Sequence, residues 1–374
     1  MFWIFLLLMF SVHPGYFIFL WFISRFVHKN VDKKDFLPSV SFIIAAYNEE
    51  KVMRQKLENS LNLDYPSDKI QIIVASDCSD DNTDNIVREF KDKGIVLSRL
   101  ETRGGKTANQ NNALTAATGE ILVFSDAGTV YDPLAIKKLV RNFNDPGIGC
   151  VGGRLIHVAD TFKSLVDEKN YYTSFEQKTK IFESSIYSII GVNGPIYAVR
   201  RDLYRPLPED LTSDFLTPLF IIRRGCRAVY EPEAMSFEEV PPTSGTEFRR
   251  KIRTVRAGVT VLYAMRSLLN PFRYFWPGIF LVGHKLSRWF FFLLMIGLLI
   301  SNLFVIYDDT IYSIAFISQI MFYFLVIMAK LNKSFQKSKI FSIPYFFFIY
   351  NLACVFGIAQ FLSGKKSEIW EVER

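Results

Sequence analysis

The sequence predicts an α/β domain with a mostly parallel sheet, joined to α-helical transmembrane segments. Three observations predict it. From Val40 to about Ala234, short apolar runs alternate with amphipathic stretches, the pattern of βαβ units. Elsewhere, four stretches without formal charge approach or exceed the roughly 20 residues a spanning helix needs. The chain has 374 residues and 44 Lys and Arg against 37 Asp and Glu, yet only 22% of it is charged and 16% is aromatic. That balance excludes a disordered chain. The length allows two or three domains at about 100–200 residues each.

The apolar stretches come first along the chain. They are Phe2–Ser24, Trp289–Tyr307, Ile311–Ala329 and Ile340–Leu362. A signal peptide is the alternative for the first, but its apolar run passes Pro14 to Ile23 without a small-residue cleavage site. It reads as a retained anchor. Buried core helices are the alternative for all four, and the crowding of three near the C-terminus speaks against that. Basic residues set the orientation. Arg25, Lys29, Lys33 and Lys34 follow the first span, and Lys330, Lys333, Lys337 and Lys339 separate the third and fourth. Asp308 and Asp309 stand between the second and third. Residues 25–288 are therefore expected to face the cytoplasm. The tail carries Lys365, Lys366 and Arg374, so either it is external or one apolar segment is re-entrant. The expected division is 1–25 as anchor, 38–248 as soluble domain, 249–288 as basic and aromatic interfacial helices, 289–362 as about three transmembrane helices, and 363–374 as tail.

Within the soluble part the expected strands are Val40–Ala45, Ile70–Ala75, Ile95–Leu100 and Ile121–Phe124. Helices are expected at Glu49–Leu61, Asp81–Lys91 and Thr107–Ala117. Ligands of such sheets gather at the carboxyl ends of the strands. There the sequence places Ala46-Tyr47-Asn48-Glu49-Glu50, Ser76-Asp77-Cys78-Ser79-Asp80-Asp81-Asn82-Thr83, Arg103-Gly104-Gly105-Lys106-Thr107 and Ser125-Asp126-Ala127-Gly128. Each alone also reads as a capped turn, but four at one rim suit a nucleotide, phosphate or metal. Gly105-Lys106-Thr107 is not a P-loop, because Leu100 stands where its first glycine is needed. A lysine on a Gly-Gly turn at a helix start still suits a diphosphate. Cys78, Cys150, Cys226 and Cys354 form no CxxC, which argues against a disulfide scaffold or zinc site and suits a reducing compartment.

Together these residues resemble the membrane-anchored family 2 glycosyltransferases, relatives of the cellulose, hyaluronan and poly-N-acetylglucosamine synthases. The resemblance covers roughly Val40 to Gly258. It implies a GT-A nucleotide-sugar (Rossmann-like) domain and the following site. Tyr47 and Glu49 resemble the first nucleoside-contacting loop, and Asp77 the aspartate that bonds the uracil ring. Lys106 and Asn111 resemble the GK…N stretch beside the diphosphate. Asp126 matches the first aspartate of the metal-binding DxD motif, and Asp214 the base of a TED-like motif. Arg250 and Arg253 occupy the place of the QxxRW motif. The implied cofactor is a divalent metal, Mg²⁺ or Mn²⁺.

Three departures stand out. Gly128 replaces the second DxD aspartate, leaving Asp126 as the one carboxylate of that loop, with diphosphate oxygens and water completing the shell. Mg²⁺ accepts such a shell. Ser213 replaces the middle acid of TED. Arg250 and Thr254 replace Gln and Trp of QxxRW, and the missing Trp favours addition of a single sugar over polymerisation. Glu238 and Glu239 read as a solvated turn, with a ligand or acceptor contact as the alternative. Asn193-Gly194-Pro195 reads equally as an ordinary turn or as a segment near the donor sugar, followed by a strand at Ile196–Val199.

The chemistry follows from the residue types. A cation at Asp126, with Lys106, Arg253 and Arg250, would absorb the charge of a departing diphosphate. Asp214, at a helix start between Leu211 and Phe215, would act as general base; an N-terminal cap is its bland alternative. The run Arg249–Arg256 next to a span also suits anionic lipid, and nothing resembles a nucleic-acid readout module.

The sequence therefore predicts inverting transfer from a UDP-sugar to a membrane-associated glycan or lipid-linked acceptor. The setting is cell-envelope or exopolysaccharide synthesis, with the catalytic domain cytosolic on a bacterial cytoplasmic membrane. The alternatives are a processive synthase, a polyprenyl-phosphate sugar transferase and a non-catalytic nucleotide-sugar-binding membrane protein.

Overall fold

The chain opens on α1 (Phe2–Phe10) and α2 (Tyr16–Ile23), joined by a π-helical turn at Ser11–Gly15 that contains Pro14. Proline has no N–H to give the helix, and the wider turn absorbs the missing bond. This computed structural model describes residues 1–158, 163–239, 244–332 and 334–364, without the side chains of 163–173 and 244–247. Lys333, Lys365, Lys366 and Arg374, used above for orientation, lie outside the described residues.

Among the described residues, eight strands form one sheet: β1 (Val40–Ala46), β2 (Ile70–Ser76), β3 (Ile95–Arg99), β4 (Ile121–Asp126), β5 (Thr129–Tyr131), β6 (Ile148–Val158), β7 (Tyr197–Arg200) and β8 (Arg227–Glu239). Their order is β3-β2-β1-β4-β7-β6-β8-β5. The pairs β1/β2, β1/β4, β2/β3 and β6/β8 are parallel; β4/β7, β6/β7 and β5/β8 are antiparallel. The sheet is thus mixed and mostly parallel. All four expected early strands are present, within two residues of their expected ends. The helices between them are α3 (Glu50–Leu61), α4 (Thr83–Arg88), α5 (Lys106–Ala113), α6 (Ala135–Val140), α7 (Lys163–Ile186) and α8 (Ser213–Arg223).

Every residue of β1 is buried, as expected of a strand covered on both faces. On one face Phe42, Ile44, Val74 and Val123 pack with Met53 and Leu57 of α3, Val87 of α4 and Leu139 of α6. The alternate residues Ile43, Ile73, Leu122 and Phe124 are also fully buried, and Phe124 stacks on Tyr197 at 4.8 Å. Ahead of β1, the linker is pinned to β8. The guanidinium of Arg227 donates to the carbonyls of Lys29 (2.8 Å) and Asn30 (3.3 Å). Lys33 and Arg141 converge on the buried Glu231.

The remaining helices are α9 (Ser244–Ala264), α10 (Phe275–Phe280), α11 (Ser287–Trp289), α12 (Phe291–Leu303), α13 (Thr310–Leu331) and α14 (Lys339–Leu362). Two compact units divide the chain. One contains the described residues of Met1–Phe22, Thr243–Thr260 and Ile279–Lys366; the other contains those of Ile23–Pro242 and Val261–Gly278. The expected interfacial segment 249–288 is thus shared between them.

In the helical unit, Val12, Phe291 and Met295 form a small core with Phe322, Tyr323 and Phe347 around it. Leu7, Ile18, Ile317, Phe324 and Ile343 are exposed, an outward apolar surface of the kind that suits lipid. Among the described residues, three helices are long and apolar enough to cross a membrane: Phe2–Ile23, Thr310–Leu331 and Lys339–Leu362.

The expected span at Trp289–Tyr307 falls on a bent helix pair. The helix there runs only 13 residues, Phe291–Leu303, which at 1.5 Å per residue falls short of a hydrocarbon core of about 30 Å. It is the second arm of a bent pair, Phe275–Trp289 with Phe291–Leu303, that turns by 61° at Phe290 and counts as a fourth span only if both arms are taken together. Phe290 (φ −96°, ψ 4°) leaves helical geometry. Beyond Leu303 the chain turns, and Asp309 caps α13 by accepting from the Ile311 N–H at 3.0 Å.

Candidate active site

The site is built where β1, β2 and β4 end. The loops after β1 and β2 cap each other's helices. The Asp81 carboxylate accepts from the N–H groups of Glu50 (3.0 Å) and Thr83 (2.9 Å). The carboxylate of Glu50 accepts from Asn82 (3.1 Å), and the Thr83 hydroxyl from the N–H of Glu49 (2.8 Å). Capping is therefore what the Asp80–Thr83 cluster does, and it locks two rim loops together. Each loop also holds a residue at positive φ, Asn48 (51°) and Cys78 (56°), a conformation that is uncommon outside glycine.

Asp77 is buried, and its two oxygens accept from the N–H groups of Gly104 (2.8 Å) and Gly105 (3.0 Å). The carboxylate thereby grips the turn that launches Lys106. Gly105 lies at φ +86°, which only glycine adopts without strain. The Arg103 guanidinium stacks over the Tyr47 ring at 3.7 Å from its centroid. Asn111 has partners that its sequence position did not suggest. Its amide donates to the Leu207 carbonyl (2.8 Å) and accepts from the Leu207 N–H (2.9 Å). Thr107 donates to the Leu211 carbonyl at 2.7 Å. Helix α5 thus holds the segment that leads into Asp214.

Lys106, Asp126 and Asp214 converge around Gly194. Lys106 makes an ion pair with Asp126. A Cβ at Gly194 would lie 3.1 Å from Lys106 Nζ and 3.5 Å from Asp214 Oδ2. Asp214 occupies the first turn of α8, and its neighbours Leu211 and Phe215 are buried. Burial opposes the charge of Lys106, but Asp126, with Asp214 and Glu238 behind it, holds its pKa above the ordinary lysine value. The Asn193–Pro195 segment is fixed by its own bonds. Asn193 donates to the Gly153 carbonyl (2.8 Å) and accepts from Lys180 (2.9 Å).

Glu238 and Glu239 lie in β8, not in a solvated turn. Glu238 pairs in register with Thr129 of β5 and His157 of β6, and His157 Nδ1 is 3.8 Å from its carboxylate. A long-range strand pairing brings it to the site, and no local signal in the sequence announces that. Lys56 is the other residue that sequence reasoning missed. It is 1% exposed, and burial pushes its ammonium down to about 7 against the attraction of Asp126.

Among the described residues, no group of three or more His, Cys, Asp or Glu is placed to hold a metal ion. The cluster still suits a cation that keeps water and phosphate oxygens as most of its ligands. Asp126, Asp214 and Glu238 all act electrostatically on Lys106. Arg250 and Arg253 lie on α9 in the helical unit. On the same helix Arg256 is buried and donates to Gln360 of α14 at 3.2 Å.

Comparison with known proteins agrees with this architecture. Residues 41–206, somewhat under half of the chain, match the model of glycosyl transferase family 2. The chain is 30% identical over 239 residues to the "Probable glycosyltransferase YdaM" of Bacillus subtilis (strain 168), an alignment covering 60% of this chain and 56% of that protein. It is 25% identical over 252 residues to a poly-beta-1,6-N-acetyl-D-glucosamine synthase of Staphylococcus aureus (strain COL), covering 64% of this chain and 60% of the relative. The chain thus spans under two thirds of the length of these curated relatives. Among solved structures, the mannosyltransferase PcManGT from Pyrobaculum calidifontis, in complex with GDP-Man and Mn²⁺, superposes with a TM-score of 0.71 at 21% identity, over 98% of this chain and 100% of that one. Fold, strand-end site and family match agree: residues 41–206 match glycosyl transferase family 2, and the chain has a GT-A-like fold.

Proposed function

We propose that the chain transfers a sugar from a nucleotide-sugar, a UDP-sugar, to a membrane-associated glycan or lipid-linked acceptor, with inversion at the anomeric carbon. The observation that carries this reading is the convergence of Lys106, Asp126 and Asp214 around Gly194 at the strand ends. The donor is already activated, so the protein must bind, orient and neutralise charge. Asp126 would hold the cation, with diphosphate oxygens and water. A bound Mg²⁺ or Mn²⁺ supplies Lewis-acid neutralisation of the leaving diphosphate.

Lys106 faces the same diphosphate and balances its charge. Asp214 accepts the proton of the acceptor hydroxyl as the new bond to C1 forms. The bond from C1 to the diphosphate oxygen breaks, and the nucleoside diphosphate leaves. A single base opposite the leaving group inverts the centre. Tyr47, Glu49 and Asp77 are assigned to the nucleoside, and Asn111 to the shaping of the segment before Asp214. The assignment of Arg250 and Arg253 to the diphosphate rests on their place in the motif. Three helices able to span a bilayer support membrane attachment of the catalytic domain, with that domain on the side where nucleotide sugars are made.

A second reading, processive synthesis, is favoured by the likeness to a poly-N-acetylglucosamine synthase. Thr254 at the position of the motif's tryptophan favours single addition. The test is release of free nucleoside diphosphate from a panel of nucleotide sugars. The sample is purified, detergent-solubilised protein with a membrane lipid extract, with and without Mg²⁺ or Mn²⁺. Metal-dependent release from one UDP-sugar is expected. Donor binding without turnover for every sugar and extract would refute catalysis. A ladder of products in donor excess would favour the processive reading.

A further inference from the structure

Lys56 stands apart from the site residues because none of its contacts reaches solvent. It projects from α3 into the core, over the rings of Tyr131 (4.5 Å) and Phe42 (5.1 Å). Its ammonium donates to the Ser125 hydroxyl and to the Thr129 carbonyl, both at 2.7 Å. These two residues bracket Asp126: Ser125 precedes it in β4, and Thr129 opens β5. The turn is closed further by the Thr129 hydroxyl, which donates to the Asp126 carbonyl at 2.8 Å. One turn along the same face of α3, Asn59 donates to the Tyr131 carbonyl and accepts from the Tyr131 N–H, each at 2.9 Å. The Tyr131 hydroxyl then donates to the Phe124 and Pro195 carbonyls, each at 3.0 Å, and Pro195 follows Gly194. A single helix face therefore holds both the Asp126 turn and the loop against which Lys106 and Asp214 lie.

We propose that Lys56 is a positioning residue for the cation site: it ties the two ends of the turn and so sets where the Asp126 carboxylate is presented. The proposal rests on the reading of Asp126 as the cation's protein ligand. A purely structural role does not explain the residue. Taking an ammonium out of water costs several kcal/mol, and an apolar side chain of similar volume fills a core at least as well. The cost falls at the one turn whose geometry the transfer depends on, and partners behind a metal ligand are where such costs are repaid in affinity.

The test compares wild type, Lys56→Met, Asn59→Ala and Asp126→Ala as full chains in detergent. Mn²⁺ binding is measured by electron paramagnetic resonance in the presence of UDP, alongside melting temperature and the Mn²⁺ concentration that half-activates donor turnover. Lys56→Met should bind Mn²⁺ about tenfold or more weakly, with a melting temperature within a few degrees of wild type and a half-activating Mn²⁺ concentration raised to match. Asn59→Ala should shift Mn²⁺ affinity the same way by less, and it decides the matter if Lys56→Met does not fold. Asp126→Ala should abolish the signal. Wild-type Mn²⁺ affinity in a folded Lys56→Met, or in Asn59→Ala when only that variant folds, overturns the proposal while leaving the transferase reading intact. No Mn²⁺ binding by wild type refutes the reading and the proposal together.

Discussion

On the proposed reading, Asp214, Asp126 and Gly194 divide the reaction at the scale of single residues. Asp214→Asn keeps the shape and removes the base. It should lower kcat by about 10²–10⁴-fold, with donor KM little changed; equal loss in KM and kcat would assign it to binding instead. Gly194→Ala adds a methyl group 3.1 Å from Lys106 Nζ and 3.5 Å from Asp214 Oδ2. It should depress kcat at an unchanged melting temperature, and an active Gly194→Ala would show that the two groups do not act at that gap. Lys56 makes a pH prediction. Its folded-state pKa lies near 7, against 10.5 unfolded. Between these values the unfolded chain binds more protons there than the folded one, so the burial penalty is full below about pH 7 and fades as pH rises. The melting temperature of wild type should therefore gain on that of Lys56→Met between pH 7 and 10. A constant difference across that range would contradict the assignment.

The same residues show what the sequence could reveal. Asp126 stands at the end of a strand-like run and Lys106 on the Gly-Gly turn that follows another, so their place at the rim was legible. Lys56 was not, because a lysine in Glu49–Leu61 reads as one more solvated helix charge. Only the fold shows that its position faces β4 and β5. Glu238 was hidden for another reason: its place depends on the register of β8 with β5 and β6, which no local pattern encodes.

At the scale of elements, the reciprocal caps between the loops after β1 and β2 carry a measurable load. Asp81→Ala removes acceptors from two helix starts at once. It should cost about 1–2 kcal/mol by denaturant titration and weaken donor binding more than it slows turnover. A loss below a few tenths would mean that water replaces both bonds. Strands β1, β2 and β4 were legible as continuous apolar runs because both their faces are buried. The antiparallel insertion of β7 between β4 and β6 was not, since a short strand does not declare its neighbours. The charge-free runs near both termini marked helices correctly. The run at Trp289–Tyr307 did not reveal its bend, because freedom from charge says nothing of one. The helix breaks at Phe290, and its other arm carries His284, Lys285 and Arg288.

For the whole molecule, the α/β unit supplies a rim of backbone-anchored turns, to which the proposed reading assigns the cation, the diphosphate and the base. The helical unit supplies apolar surface suited to lipid. The protein should therefore partition with membranes and require detergent for release. Recovery in the aqueous fraction after high-salt washing would contradict membrane embedding. An acceptor held at the bilayer would explain why a donor domain is joined to such helices. The account stands or falls on one comparison: nucleoside diphosphate release from the best UDP-sugar by wild type, Asp126→Ala and Asp214→Asn, each with and without Mn²⁺. The account predicts cation-dependent release by wild type, loss of cation dependence together with activity in Asp126→Ala, and retained donor binding with little turnover in Asp214→Asn. Release that is equally fast in all three proteins would contradict it.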